Sequence, residues 1–354
     1  MIGCALALLI AMPHARDGAT ILAARDDPAA LSEAQLRTAD RLQTARVGRE
    51  IAAALAAGDV DLARSFVELA RSEDIALSQE TIARVDDAVA ESQTSTHAAR
   101  QFASGLFTGD VSDIASFSGT LAGDLFVFGD VRDVLREGKH LVTGEQVDRF
   151  VLALACVGLA VTAGTYASIG AAAPARAGLT IVKDARRAGR LSANLGEWAG
   201  RSAMGMIDQP LLQSAIAEAS LAKPSATLRA VKAAVKLDRA SEVIAVAKDV
   251  GRVGERAGAR AAVDVLNVAE GPDDVARAAR LAAARGGQTR AIIKLLGRGA
   301  LVLAAGAFDL VWWLAALLIA LLGVVSSIKS MTERLSLAYF RHRRLRRLRA
   351  RAVA

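Results

Sequence analysis

From Leu310 to Ile328 the chain runs nineteen residues without a charge (LVWWLAALLIALLGVVSSI), and the twenty-six residues that follow carry nine Lys and Arg against one Glu. As a helix rising 1.5 Å per residue, that run is about 28 Å long, close to the roughly 30 Å hydrocarbon core of a bilayer. Trp312 and Trp313 stand near its start and Tyr339 and Phe340 beyond its end, where amphipathic rings favour the membrane–water boundary. The arginine run RHRRLRRLRAR (341–351) cannot be buried and has to stay in water or headgroups. The sequence therefore predicts a transmembrane anchor over 300–328 and a basic cytoplasmic tail over 329–354.

The rest of the chain is rich in Ala, Leu and Arg, with six prolines and 4% aromatics, which favours helix over sheet. The expected fold class is all-α: a membrane-anchored helical protein with amphipathic helices and one C-terminal transmembrane helix. Net charge is segregated, −9 over 13–149, +9 over 174–299 and +8 over 329–354. Segments of opposite sign separated by apolar runs predict separate compartments rather than one mixed surface. The two cysteines, Cys4 and Cys156, lie in apolar runs and do not form a disulfide framework.

Residues 1–12 (MIGCALALLIAM) are apolar but too short to span and have no basic leader. They read as a truncated signal anchor ended by Pro13. Residues 13–103 form an acidic helical domain. Ser32 with Gln35 makes a capping box, Gly58 a stop, Asp59 a new N-cap and Ser78 another. QTST (93–96) marks a break. Residues 174–299 form a basic amphipathic helical region, in which Pro272, Asp273, Asp274 and Gly286 delimit a complete short helix. A helix from Thr289 is expected to run on toward the anchor. The basic faces of this region suit either anionic headgroups or water.

Residues 104–173 combine a Gly/Asp-rich segment with an apolar helix. The apolar run 150–173 is read as buried or dipping into the membrane, with a full span as the alternative. In 123–159 an apolar run precedes Gly129-Asp130 with Asp133, then Thr143-Gly144-Glu145 and a hydrophobic helix. This pattern resembles the pre-toxin segment of bacterial polymorphic toxins. The whole chain resembles a family of uncharacterised proteobacterial inner-membrane proteins. The first resemblance implies a toxin-related role and the second implies no activity.

Catalytic signatures are missing from the sequence. Four scattered histidines and two isolated cysteines offer no metal spacing, and GRVGERAG (251–258) has the wrong spacing for a dinucleotide loop. No enzyme activity and no cofactor are expected. Asp124, Asp130 and Asp133 are candidates for holding a cation or a basic partner, against the plainer reading of caps and solvated carboxylates. Asp309 is a candidate because it stands at the edge of the span, where an interfacial position explains it equally well. The expected partners are the lipid bilayer, anionic headgroups through the basic tail, and an envelope protein or a second copy; nucleic acid is disfavoured. The sequence thus predicts a non-enzymatic scaffold or interaction module of the bacterial inner membrane with a cytoplasmic C-terminus. The alternative is a membrane-perturbing or toxin-related protein.

Overall fold

The structure is a computed structural model. It describes residues 2–38, 40–92, 129–138, 140, 147–165, 173–217, 231, 233–302 and 306–352. Asp124, QTST (93–96) and Thr143-Gly144-Glu145 lie outside the described residues. Among those described the fold is helical, with an isolated antiparallel bridge between Ile207 and Val235 and no strand. The chain divides into two compact units, residues 27–302 and the pair of flanking segments 1–26 and 303–354.

In the flanking unit, α1 (Ile2–Ala23) packs along α15 (Gly306–Ala352). Helix α1 does not end at Pro13, as the sequence suggested, but runs through it. Proline removes one backbone donor and strains the preceding turn, and packing against a neighbouring helix offsets that cost. Ala15 and Gly18 are buried on α1. On α15 the least exposed residues are Ala316, Leu317, Ala320, Gly323, Val324 and Ser327, three or four apart. Small side chains on both helices let the backbones approach closely. Residues 315–341 of α15 are long and apolar enough to cross a membrane. Leu318, Ile319, Leu322 and Val325 are each about 60% or more exposed.

The unit 27–302 is one body built around a continuous core. Its N-terminal helices are α2 (Pro28–Thr38), α3 (Asp40–Ala56), α4 (Val60–Ser72) and α5 (Gln79–Ser92). Next come α6 (129–138), α7 (Arg149–Thr165), α8 (Ala173–Arg187), α9 (Ala193–Met206) and α10 (Gln209–Ala217). The last four are α11 (Leu237–Ala257), α12 (Ala259–Val268), α13 (Pro272–Arg285) and α14 (Thr289–Leu296).

Local chemistry places most of the boundaries. Asp59 accepts from the Leu62 N–H as the N-cap of α4, and Gly58 ends α3 at φ +68°. Ser78 accepts from the Thr81 N–H at the start of α5. Two expectations change. Helix α2 starts at Pro28 with Asp27 accepting from the Ala29 N–H, so Ser32 lies inside it and its hydroxyl donates to the Ala29 carbonyl. Helix α14 does not continue toward the anchor, because Gly297 adopts φ +57° and a 3-10 turn follows.

The expected division at 103, 173 and 299 is not how the chain packs. Acidic and basic segments share one core, and α7 lies inside it: every residue from Phe150 to Leu159 is buried. Ten apolar residues are too few to span a bilayer but sufficient for a core helix. The side chains of 160–172 lie outside the description.

The most extensive pairing in the body is α8 against α11, and glycines set its distance. A Cβ at Gly178 would strike the Ala247 carbonyl, and one at Gly251 the Pro174 carbonyl; at Gly254 it would lie 3.1 Å from Ile181 Cδ1. The GRVGERAG stretch is thus a helix-crossing surface rather than a ligand loop. Gly178→Ala and Gly251→Ala are expected to lower the melting temperature sharply, because backbone cannot move aside. Gly48→Ala in α3, where nothing lies within 4 Å, should instead stabilise by about 0.5–1 kcal/mol. Thermal melts of the three variants check both directions.

Candidate functional site

Helix α6 carries Val131 and Val134 into the core, and the same rotation buries Asp130, Asp133 and Glu137. Opposite them on α8, the apolar stripe Leu179, Ile181, Val182 and Ala185 contains a lysine, Lys183, which is 3% exposed. Lys183 Nζ donates to Asp130 Oδ1 at 2.5 Å and to Asp133 Oδ2 at 3.0 Å. One turn further along α8, Arg187 donates to Asp133 Oδ1 at 2.7 Å. Glu137 accepts from the Asp148 N–H at the entry to α7, with Arg136 beside it. A Cβ on Gly158 of α7 would fall on the Asp130 carboxylate, so this glycine makes room for the cluster.

Burial pushes the Asp130 carboxyl up to about 6, against the opposing pull of Lys183. At Asp133 burial acts the same way, but Lys183 and Arg187 together outweigh it and hold the group below its ordinary value. Burial disfavours charge on Lys183, yet the two carboxylates raise its pKa and keep it protonated. Cys156, also buried, is pushed up to about 12 by burial and by the Asp130 charge, so its thiol is not a nucleophile at neutral pH.

A second cluster ties the two ends of the body. Arg290 of α14 is 5% exposed and donates to both oxygens of Asp59, at 2.6 and 2.7 Å, and through Nε to Asp264 at 2.7 Å. Burial would raise the Asp59 pKa, and the bidentate bond to Arg290 lowers it. Arg285 joins Glu33 and Glu73 at 2.7 and 3.0 Å. Ser65 of α4 donates to the Gly287 carbonyl and accepts from the Ala291 N–H.

Between these groups a cleft of about 880 Å³ opens, lined by Arg64, Glu68, Gly251, Gly258, Arg260 and Arg290 among others. All three of the arginines named are already paired: Arg64 with Glu68 at 3.0 Å, and Arg260 and Arg290 with Asp59 at 3.2 and 2.6 Å. Among the described residues no group of three or more His, Cys, Asp or Glu is placed to hold a metal.

Of the sequence candidates, Asp130 and Asp133 are brought together. The reading of them as solvated caps is corrected, because they are buried in ion pairs. Their partners are Lys183 and Arg187 of the same chain. Asp309 lies on α15, and its side chain is outside the description. Neither Lys183 nor Arg187 was singled out from the sequence as a site residue; the clue to their role is a lysine within an apolar helical stripe. The arginines of 174–299 that were set against headgroups or water include Arg285 and Arg290, whose partners are acids of this same body. No family model, characterised protein or solved structure matches the chain.

Lys183→Met should cost roughly 3–5 kcal/mol, since it strips the buried Asp130 of its hydrogen-bonded cation and leaves Asp133 with Arg187 alone. Replacing Lys183, Asp130 and Asp133 together by apolar residues of similar size should recover much of that loss. The pH dependence has a definite sign. Asp130 binds its proton more tightly folded than unfolded, so its contribution to stability grows as pH falls through about 6 toward 4. Asp133, with its folded pKa lowered, loses its contribution only at still lower pH. Asp130→Asn should flatten the dependence between about pH 4 and pH 7, measured by denaturant unfolding across that range.

Proposed function

We propose that this chain is a non-enzymatic protein of the bacterial inner membrane, a scaffold or interaction module whose helical body is held at the membrane by α15. The observation that carries this reading is the exposed apolar surface of α15, lying outside the core of the body and followed by an arginine-rich end. Lipid covers such a surface at no cost, whereas water does not. The ionic groups of the body support the same reading, since its buried charges bind one another. Such groups hold a shape rather than carry out a reaction.

The chain enters the body from α1 and leaves it toward α15. With 27–302 folded as one body, a topology that splits it at 150–173 would separate Asp59 from Arg290 and Asp130 from Lys183. That leaves the body on one side of the membrane and the basic tail on the other. A short arginine-rich end directly after a span stays cytoplasmic, so the body faces outward. The partners proposed are the bilayer, anionic headgroups at the tail, and an envelope protein or a second copy. A membrane-perturbing role would require residues 150–159 to leave the core, at the loss of their burial, and is the weaker reading.

Reporter fusions at Arg239 and Ala354 should report opposite sides of the membrane, and the protein should stay in the pellet after alkaline carbonate extraction. Fusions on the same side, or a soluble protein, would exclude this topology. Removing both flanking segments, 1–26 and 303–354, should leave a body that no longer pellets.

A further inference from the structure

Lys183, Asp130 and Asp133 are placed to react with one another as well as to pair. Lys183 Nζ lies 2.5 Å from Asp130 Oδ1, so the Asp130 carboxyl carbon is one covalent bond further away. Asp133 Oδ2 stands 3.0 Å from the same nitrogen, and Arg187 holds the other Asp133 oxygen at 2.7 Å. Asp130, Asp133 and Lys183 are all buried, among the core residues Val131, Val134, Leu179 and Val182. Gly158 of α7 faces Asp130 Oδ2 and, having no side chain, leaves space at that oxygen. Burial is the largest single influence on Asp130 and on Lys183, and it opposes charge on each. It therefore moves the pair toward its neutral form, an amine beside a carboxylic acid.

We propose that Lys183 and Asp130 condense into an intramolecular isopeptide bond, with Asp133 as the proton relay. The ammonium passes a proton along its hydrogen bond to the Asp130 carboxylate, which leaves an amine lone pair beside a carboxylic acid. The amine attacks Asp130 Cγ. Asp133, kept ionised by Lys183 and Arg187, takes the proton that the nitrogen sheds and returns it to the departing hydroxyl. A C–N bond forms, a C–O bond breaks and one water leaves. An ammonium and a carboxylate become an amide, so atoms and charge balance without a co-reactant. The neutral pair is the minor form, yet groups held in contact react with effective molarities of about 10⁵–10⁸ M, and the step occurs once per chain. The product ties α6 to α8 across 53 residues, with α7 inside the closed loop. It turns over nothing and makes permanent the packing that the charges first select. The pH dependence and the cost of Lys183→Met given above belong to the chain before closure. None of this depends on where in the cell the body lies.

Intact-mass spectrometry of the full-length protein tests it. The mass should fall short of the sequence by one water, and a proteolytic digest should contain a branched peptide joining the fragment with Asp130 to the fragment with Lys183. Lys183→Arg keeps a cation between the carboxylates but has no amine to condense, and should have its full mass. Asp133→Asn should slow closure about a hundredfold or more, leaving most freshly folded chains unlinked. A cooperative melt shows that each variant is folded; should one fail to fold, the wild-type mass and the branched peptide decide alone. Folded wild-type protein of full mass would overturn the bond and leave an ion pair only. A deficit that persists in Lys183→Arg would also overturn it, since the water would then have been lost at another side chain. Closure of Asp133→Asn at the wild-type rate would overturn the relay.

Discussion

Burying Lys183 commits the fold to a particular arrangement. An ammonium 3% exposed is tolerable only if carboxylates meet it, and those carboxylates come from a helix some fifty residues earlier in the chain. Asp130 and Asp133 therefore bring α6 to α8, and Gly158 of α7 has to be a glycine for Asp130 to fit between them. The same logic joins the far ends of the body, where Arg290 draws Asp59 and Asp264 together. Neither cluster adds much net stability over well-packed apolar residues. Each makes alternative packings costly, because any shift of one helix strands a buried charge.

These pairings give the charge segregation its physical meaning. The acidic segment and the basic segment are complementary surfaces of one body: Glu33 and Glu73 meet Arg285, Asp59 meets Arg290 and Arg260, and Asp133 meets Arg187. Opposite net charge at a distance along the chain led the sequence reading to separate compartments. In three dimensions it brings the halves together. The basic end of α15 has a different character. Its arginines follow a candidate span directly, with one acidic residue among them.

Much was readable from local sequence. Asp59, Gly58, Ser78 and Pro272 each act within one turn of themselves, and the helix boundaries they predict are those observed. Ser32 misled because a proline and an aspartate four and five residues earlier form the better start. Pro13 misled because packing along α15 carries α1 through it. GRVGERAG showed glycines without showing their purpose, which depends on where the Pro174 carbonyl of another helix comes to rest.

The sequence by itself determined the helical class, most caps and stops, and the long apolar stretch of α15, since each depends on residues a few positions apart and on backbone geometry. It also marked Asp130 and Asp133 as a pair worth attention. Only the tertiary structure decided that their partner is Lys183, that residues 150–159 are core rather than span, and that two segments of opposite charge form one body. Those outcomes depend on contacts between residues some fifty to two hundred and fifty positions apart. Periodicity and composition carry no information about which distant groups meet, whereas the cost of an unpaired buried charge does.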